Sequence, residues 1–161
     1  MRQSLTFVAV IEHVASEEDV ASVRSLFVEY QAGLGVDLCF QGFDEELAGL
    51  PGDYAAPGGC LLVAREDGEP VACVALRRLG AKTCEMKRLY VRPSHRGLGL
   101  GRALAKAVIA EARRIGYTRM RLDTLPSMEE AAALYERLGF REIEPYTVNP
   151  VPGARFLQLE L

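Results

Sequence analysis

Three glycines alternate just before a helix-forming segment, and they carry the clearest chemical signal in the chain. The run is Tyr90-Val91-Arg92-Pro93-Ser94-His95-Arg96-Gly97-Leu98-Gly99-Leu100-Gly101-Arg102. Glycine lets a backbone approach a ligand closely and adopt positive φ. A helix start adds unpaired N–H groups and the positive end of the helix dipole. Together these make an anion site suited to a pyrophosphate. Arg96 and Arg102 can add charge-assisted contacts. The local charge agrees. Met86 to Arg121 holds ten basic residues and one acidic residue, Glu111, so that stretch is +9 and the remainder −12. A cationic stretch within a net charge of −3 points to an anionic ligand at one place, not to a general nucleic-acid binder. Lys106, Arg113 and Arg114 read as the solvated side of a helix. Arg92, Arg96 and Arg102 flank the glycines and read as ligand contacts.

Three phosphate-binding patterns compete for this run. A Walker loop, G-x-x-x-x-G-K-[ST], finds no lysine or hydroxyl in the required places. The dinucleotide fingerprint G-x-G-x-x-G fails too: counted from Gly97 its third glycine is Arg102, and from Gly99 it is Leu104. Asp123 lies 22 residues after Gly101, near where a ribose-binding acid would sit. However, the fingerprint normally follows a first strand, and at least three strands precede this run. The third pattern, R-x-x-G-x-G, is met by Arg96 to Gly101 as they stand. Other chemistry is weakly signalled. Cys39, Cys60, Cys73 and Cys84 have no C-x-x-C spacing, and His13 and His95 are the only histidines. We therefore expect buried, reduced thiols and no metal site.

The elements that must position this run follow from periodicity. A chain of 161 residues, 49% hydrophobic and 25% charged, suits a single globular domain spanning 1–161. No apolar run approaches the ~18 residues of a membrane span. The N-terminus lacks signal-peptide features, so a cytoplasmic chain without a membrane partner is expected. Ser4 to His13 reads as a strand. Ser16 caps a helix with Glu17, Glu18 and Asp19 in its first turn. Phe43 to Leu50 is a second, short helix. Cys60 to Arg65, Pro70 to Leu79 and Thr83 to Val91 form a meander, with Asp67-Gly68 as a hairpin turn. A helix from about Gly101 to Ile115 follows, then a strand from Arg119 to Thr124. Ser127 to Glu130 reads as a capping box opening a helix that Gly139 closes. Phe140 to Ile143 and Arg155 to Leu161 are the last strands. The order is β-α-α-β-β-β-α-β-α-β-β: an α/β (α+β) fold with a mixed, mostly antiparallel sheet of about seven strands and about four flanking helices.

At this point the sequence resembles the GNAT superfamily of N-acetyltransferases. Beyond R-x-x-G-x-G, the strand Cys84 to Pro93 looks like the family's fourth strand. Ala131 to Phe140 looks like its second motif, a helix carrying a tyrosine and ending at Gly-Phe. The element order matches over nearly the whole chain. The resemblance implies acetyl-CoA as cosubstrate. Its pantetheine arm would lie beside Leu89, Tyr90 and Val91, where the fourth strand splays from the fifth. Its pyrophosphate would lie on the backbone of Arg96, Gly97, Leu98, Gly99, Leu100 and Gly101, with Arg102 nearby.

The implied reaction is attack of an amine on a thioester. A free amine has a pKa of ~10.4 and must first lose a proton. Glu85 stands where some members carry the base, and strand alternation sets Glu85, Lys87, Leu89 and Val91 on one face, with Met86, Arg88 and Tyr90 on the other. The bland reading of Glu85 is an ion pair on the sheet. Tyr135 matches the tyrosine that protonates the leaving thiolate in much of the family; the bland reading is core packing beside Leu134 and Leu138. The Val91 N–H would stabilise the thioester oxygen. The Asp123 contact with the cofactor is read as weak.

The resemblance does not identify the acceptor. Tyr30, Asp37, Phe40, Gln41, Phe43, Tyr146 and Asn149 are candidates for its site. Arg77, Arg78 or Arg155 could anchor a carboxylate. The acidic remainder of the chain favours a cationic amine. A small-molecule amine leads. A longer acyl-CoA, a protein lysine or N-terminal acceptor, a non-catalytic CoA sensor and a nicotinamide enzyme are the alternatives. Dimers are common in the family, so a homodimer is among the assemblies implied.

Overall fold

The computed structural model describes residues 9–35, 37–38 and 42–161. Among these, seven strands form one sheet of order β1-β2-β3-β4-β5-β7-β6. They are β1 (Val10–His13), β2 (Cys60–Glu66), β3 (Glu69–Arg78), β4 (Thr83–Val91), β5 (Arg119–Thr124), β6 (Arg141–Ile143) and β7 (Arg155–Glu160). The helices are α1 (Glu17–Leu34), α2 (Phe43–Gly49), α3 (Leu100–Ile115) and α4 (Glu129–Leu138). This is the expected order. The residues before Ala9 in the expected first strand lie outside the described residues.

Local chemistry explains most boundaries. Ser16 accepts the Asp19 N–H at 3.1 Å, and Gly35 ends α1 in the left-handed region. Asp67 and Gly68 both take positive φ, 51° and 82°, as a two-residue hairpin requires. The capping box does not form: α4 begins one residue later than it would set, with Met128 at the N-cap and no side-chain cap. Ser127 lies in the turn before the helix.

Each face of the sheet carries its own core. On one side α3 and α4 place Leu104, Val108 and Tyr135 against Leu62, Val74 and Met86. On the other, α1 and α2 place Val23, Leu26, Phe27 and Phe43 against Leu61, Val63 and Ala75. Both faces are covered, so β2 and β3 are buried along most of their length.

Two irregularities of β4 shape everything functional. First, its only parallel neighbour is β5, and their pairing covers just Thr83, Cys84 and Glu85 against Arg119, Met120 and Arg121. Beyond Glu85 the two strands part. Second, β4 carries a bulge. Tyr90 faces Cys73 and Lys87 faces Ala75, so Arg88 and Leu89 together oppose Val74, with Arg88 at φ 60°. The extra residue corrects the expected alternation. Met86, expected opposite Leu89 and Val91, shares the α3 face with them, while Tyr90 joins the α1/α2 face and Glu85 and Lys87 line the cleft beside α2.

A positive φ on arginine is costly, and its side chain shows what holds it there. Arg88 is 4% exposed. It donates through Nε and Nη2 to both oxygens of Glu46 on α2, each at 2.9 Å. Its guanidinium lies between the rings of Tyr30 and Phe43, 5.8 and 5.1 Å from their centroids. The bulge is thereby tied to both helices of that face.

Candidate active site

The parting of β4 from β5 opens a cleft lined by Tyr30, Leu89, Leu122, Asp123, Tyr135 and Asn149. Along it, among the described residues, β4 has no strand partner on that side, so its backbone groups there can pair with an extended ligand. The glycine loop follows β4 and leads into α3. Gly97 and Gly99 sit at φ 79° and 83°, where any other residue is strained. Gly99 is the N-cap of α3, with no side-chain cap. The first intrahelical bond runs from Ala103 N–H to Gly99 O at 3.0 Å. The N–H groups of the first turn are thus left to an external acceptor. Gly101 lies against Val91 and Leu134, where a Cβ would be 3.7 and 4.0 Å from their methyls. That packing sets the helix start against β4. These features fit a pyrophosphate followed by an extended arm.

The loop's charged residues differ in availability. Arg96 is exposed. Its Nε donates to Val91 O at 2.9 Å, and its guanidinium lies 5.8 Å from the Tyr90 ring centroid. Arg102 is exposed on the first turn of α3. Arg92, expected to contact ligand, is instead structural. It donates to both oxygens of Glu29 on α1 and to Pro70 O. Tyr90 also donates to Glu29, at 3.1 Å.

A second, wider cleft of about 510 Å³ opens beside α2. Glu45, Asp53, Tyr54, Arg77, Glu85 and Val148 contribute to its wall. Glu85 is 1% exposed and held from two sides. Oε1 accepts from Arg77 Nε at 2.7 Å, with Lys87 Nζ at 4.0 Å. Oε2 accepts from the Tyr146 hydroxyl at 2.6 Å. The geometry is that of a buried ion-pair network.

Tyr135 faces the first cleft. It is 4% exposed, and its ring lies 5.5 Å from that of Phe140. Burial raises its phenol well above the ordinary value of 10, so it carries its proton at neutral pH and can only donate it.

The segment between β6 and β7 crosses over this region and is pinned at two points. Tyr146 reaches Glu85 on β4, and Asn149 Nδ2 donates to Asp123 Oδ2 on β5 at 3.0 Å. Between the pins, Thr147 and Val148 line the wider cleft. Tyr146 and Asn149 were expected near an acceptor, but their partners were not legible in sequence. Tyr30 lines the first cleft. Phe43 is fully buried and contacts no cleft. Phe40 and Gln41 lie outside the described residues. Of the three candidate anchors, Arg77 lies in the wider cleft. Arg78 stacks 5.3 Å from the Tyr117 ring centroid, and Arg155 pairs with Glu136 and Glu142.

Among the described cysteines, Cys60, Cys73 and Cys84 are free and buried. Burial pushes the Cys60 and Cys84 thiols up to about 12. Cys39 lies outside the described residues. No group of metal-ligating side chains forms among the described residues.

Residues 20–140 match the acetyltransferase (GNAT) family model. The chain is 42% identical over 153 residues to an uncharacterized N-acetyltransferase of Schizosaccharomyces pombe, covering 94% of each. Among solved structures, an acetyltransferase from Streptococcus agalactiae superposes with a TM-score of 0.77 at 23% identity, covering 95% of this chain and 98% of that one. An acetyltransferase from Salmonella typhimurium, solved with its cofactor acetyl-CoA, superposes with a TM-score of 0.71 at 25% identity, covering 95% and 94%. The chain belongs to the GNAT acetyltransferase family and is an N-acetyltransferase.

Proposed function

We propose that the protein transfers the acetyl group of acetyl-CoA to the primary amine of a small, cationic molecule, by direct attack within a ternary complex. The observation that carries this reading is a pair of clefts whose walls share Lys87 and Asp123. The narrow one is lined by Leu89 of β4 and by Tyr135, and the wide one has the volume of a small-molecule site. The wide cleft carries the carboxylates of Glu45 and Asp53 at its rim, which favours a positively charged acceptor. The bound Salmonella typhimurium neighbour supports acetyl-CoA as the donor. Free, buried thiols suit a reducing, cytoplasmic setting.

Acetyl-CoA would bring an activated thioester. The backbone of Gly97 to Gly101 holds its pyrophosphate, with Arg96 and Arg102 adding charge. The unpaired edge of β4 beside Leu89, Tyr90 and Val91 aligns its arm. Tyr135 supplies a proton to the departing sulfur. Glu45 and Asp53 draw the ammonium form of the acceptor into the wide cleft.

Thermal unfolding with acetyl-CoA tests the donor. A ligand that binds only the folded state stabilises it by ~2.7 kcal/mol at a hundredfold excess over Kd. A rise with acetyl-CoA and none with NAD is expected. No rise at saturation would remove the donor assignment. An amine panel with thiol detection then tests transfer.

A further inference from the structure

Among the described residues, Lys87 and Asp123 are the two that line both clefts. These two side chains therefore stand between the narrow and the wide cleft. We propose that Asp123, at the end of β5, is the catalytic base that takes the proton from the attacking amine. The inference rests on the acetyl-transfer reading above.

The geometry separates Asp123 from Glu85. Both Glu85 oxygens are bonded to protein donors, Arg77 and Tyr146, and the group is 1% exposed. Taking a proton there would break a buried ion pair, which is strongly unfavourable. Glu85 also lines the wide cleft alone. Asp123 is half-buried at the junction. Its Oδ2 is oriented by Asn149 Nδ2 at 3.0 Å, and the pinned segment holds that amide in place. Tyr135 lines the same narrow cleft, so donor and acceptor of protons flank the position of the thioester. Lys87 is unsuited to the task. Its Nζ lies 4.0 Å from the Glu85 carboxylate, so acting as a neutral base would remove a cation from beside that buried charge.

The step balances. The neutral amine, having left one proton to solvent, attacks the acetyl carbon, and a C–N bond forms. The N–H proton passes to an Asp123 oxygen. The C–S bond breaks, its electron pair stays on sulfur, and sulfur takes the Tyr135 proton. Asp123 then releases its proton to water, and Tyr135 regains one.

The experiment compares Asp123→Asn, Asp123→Glu and Glu85→Gln in the full chain with the best amine of the panel. Asp123 is faced by Lys87 of β4, Tyr30 of α1, Tyr135 of α4 and Tyr146 of the pinned segment; Glu85 lines the same wide cleft, and Arg121 on the same strand stacks on Tyr146, so the profile is read against these groups. Asp123→Asn should lower kcat by ~10²–10⁴-fold and remove the enzyme's own contribution to the acidic limb of the kcat/KM profile, leaving only that of the amine. Its thermal shift with acetyl-CoA should equal that of the wild type, showing that fold and donor site are intact. Asp123→Glu should restore part of the rate and the limb, and Glu85→Gln should keep the limb. An Asp123→Asn enzyme with the wild-type limb, or a limb lost only in Glu85→Gln, overturns the proposal. A wild type that is stabilised by acetyl-CoA yet releases no thiol with any amine sinks the transfer reading instead, so the two failures are distinct.

Discussion

Tyr135 sits where packing and chemistry impose the same demand. Its ring fills space beside Phe140, and burial keeps its hydroxyl protonated. Tyr135→Phe retains the packing and removes the proton. Turnover should fall by ~10²-fold or more, with the thermal shift by acetyl-CoA unchanged. Steady-state kinetics beside the unfolding curve checks this, and an unaltered rate would leave Tyr135 a packing residue. Arg92 shows why single residues are hard to read from sequence. Its place beside the glycines suggested a ligand contact, but its partner, Glu29, lies 63 residues away on α1. Nothing local in the sequence marks that pairing. The same holds for Glu85 and Tyr146, which are 61 residues apart.

The glycine loop was legible because its constraint is local: positive φ and an uncapped helix start are written in consecutive residues. Gly99→Val should strain the backbone by ~1–3 kcal/mol and cover the helix start. A Cβ at Gly99 meets nothing within 4 Å, so the fold should survive. The expected result is a modest fall in Tm without ligand and loss of the acetyl-CoA shift. Retained affinity would place the pyrophosphate elsewhere. The bulge in β4 was not legible. Alternation of Glu85 to Val91 is regular in sequence, and the extra residue is stabilised from outside the strand by Glu46, Tyr30 and Phe43. Without that external hold, Tyr90 would face α3 and the edge offered to the donor would change. The failed capping box has a similar lesson: a four-residue pattern sets a helix start only where the preceding turn allows it.

Across the whole molecule, long-range ion pairs join the helices to the sheet, and this predicts an acid sensitivity. Asp19 is held below its usual range by the Ala15 N–H and by Arg65, against the opposing effect of burial. Glu29 is lowered by Arg92, and within α3 Glu111 is lowered by its neighbour Arg114. A carboxylate lowered in the folded state stabilises it fully above its unfolded value, and that contribution disappears as pH falls through the folded value. Urea midpoints should therefore hold near neutrality and drop once pH passes below the ordinary glutamate value of 4.5. Glu29→Gln should flatten part of that drop; an unchanged curve would show that the pair adds nothing. The element order of this molecule was readable because each element follows its own periodicity, whereas the junction of the clefts belongs to no single element.

The segment pinned by Tyr146 and Asn149 divides labour in a way that bears on how such an enzyme diversifies. Its two anchors hold carboxylates of β4 and β5, while Thr147 and Val148 between them face the wide cleft, with Val148 81% exposed. In the acetyl transfer proposed above, those two positions form an exchangeable cassette: replacing them reshapes the wall of the wide cleft and leaves both anchors in place. Preference for one amine over another can drift there without disturbing the machinery of transfer.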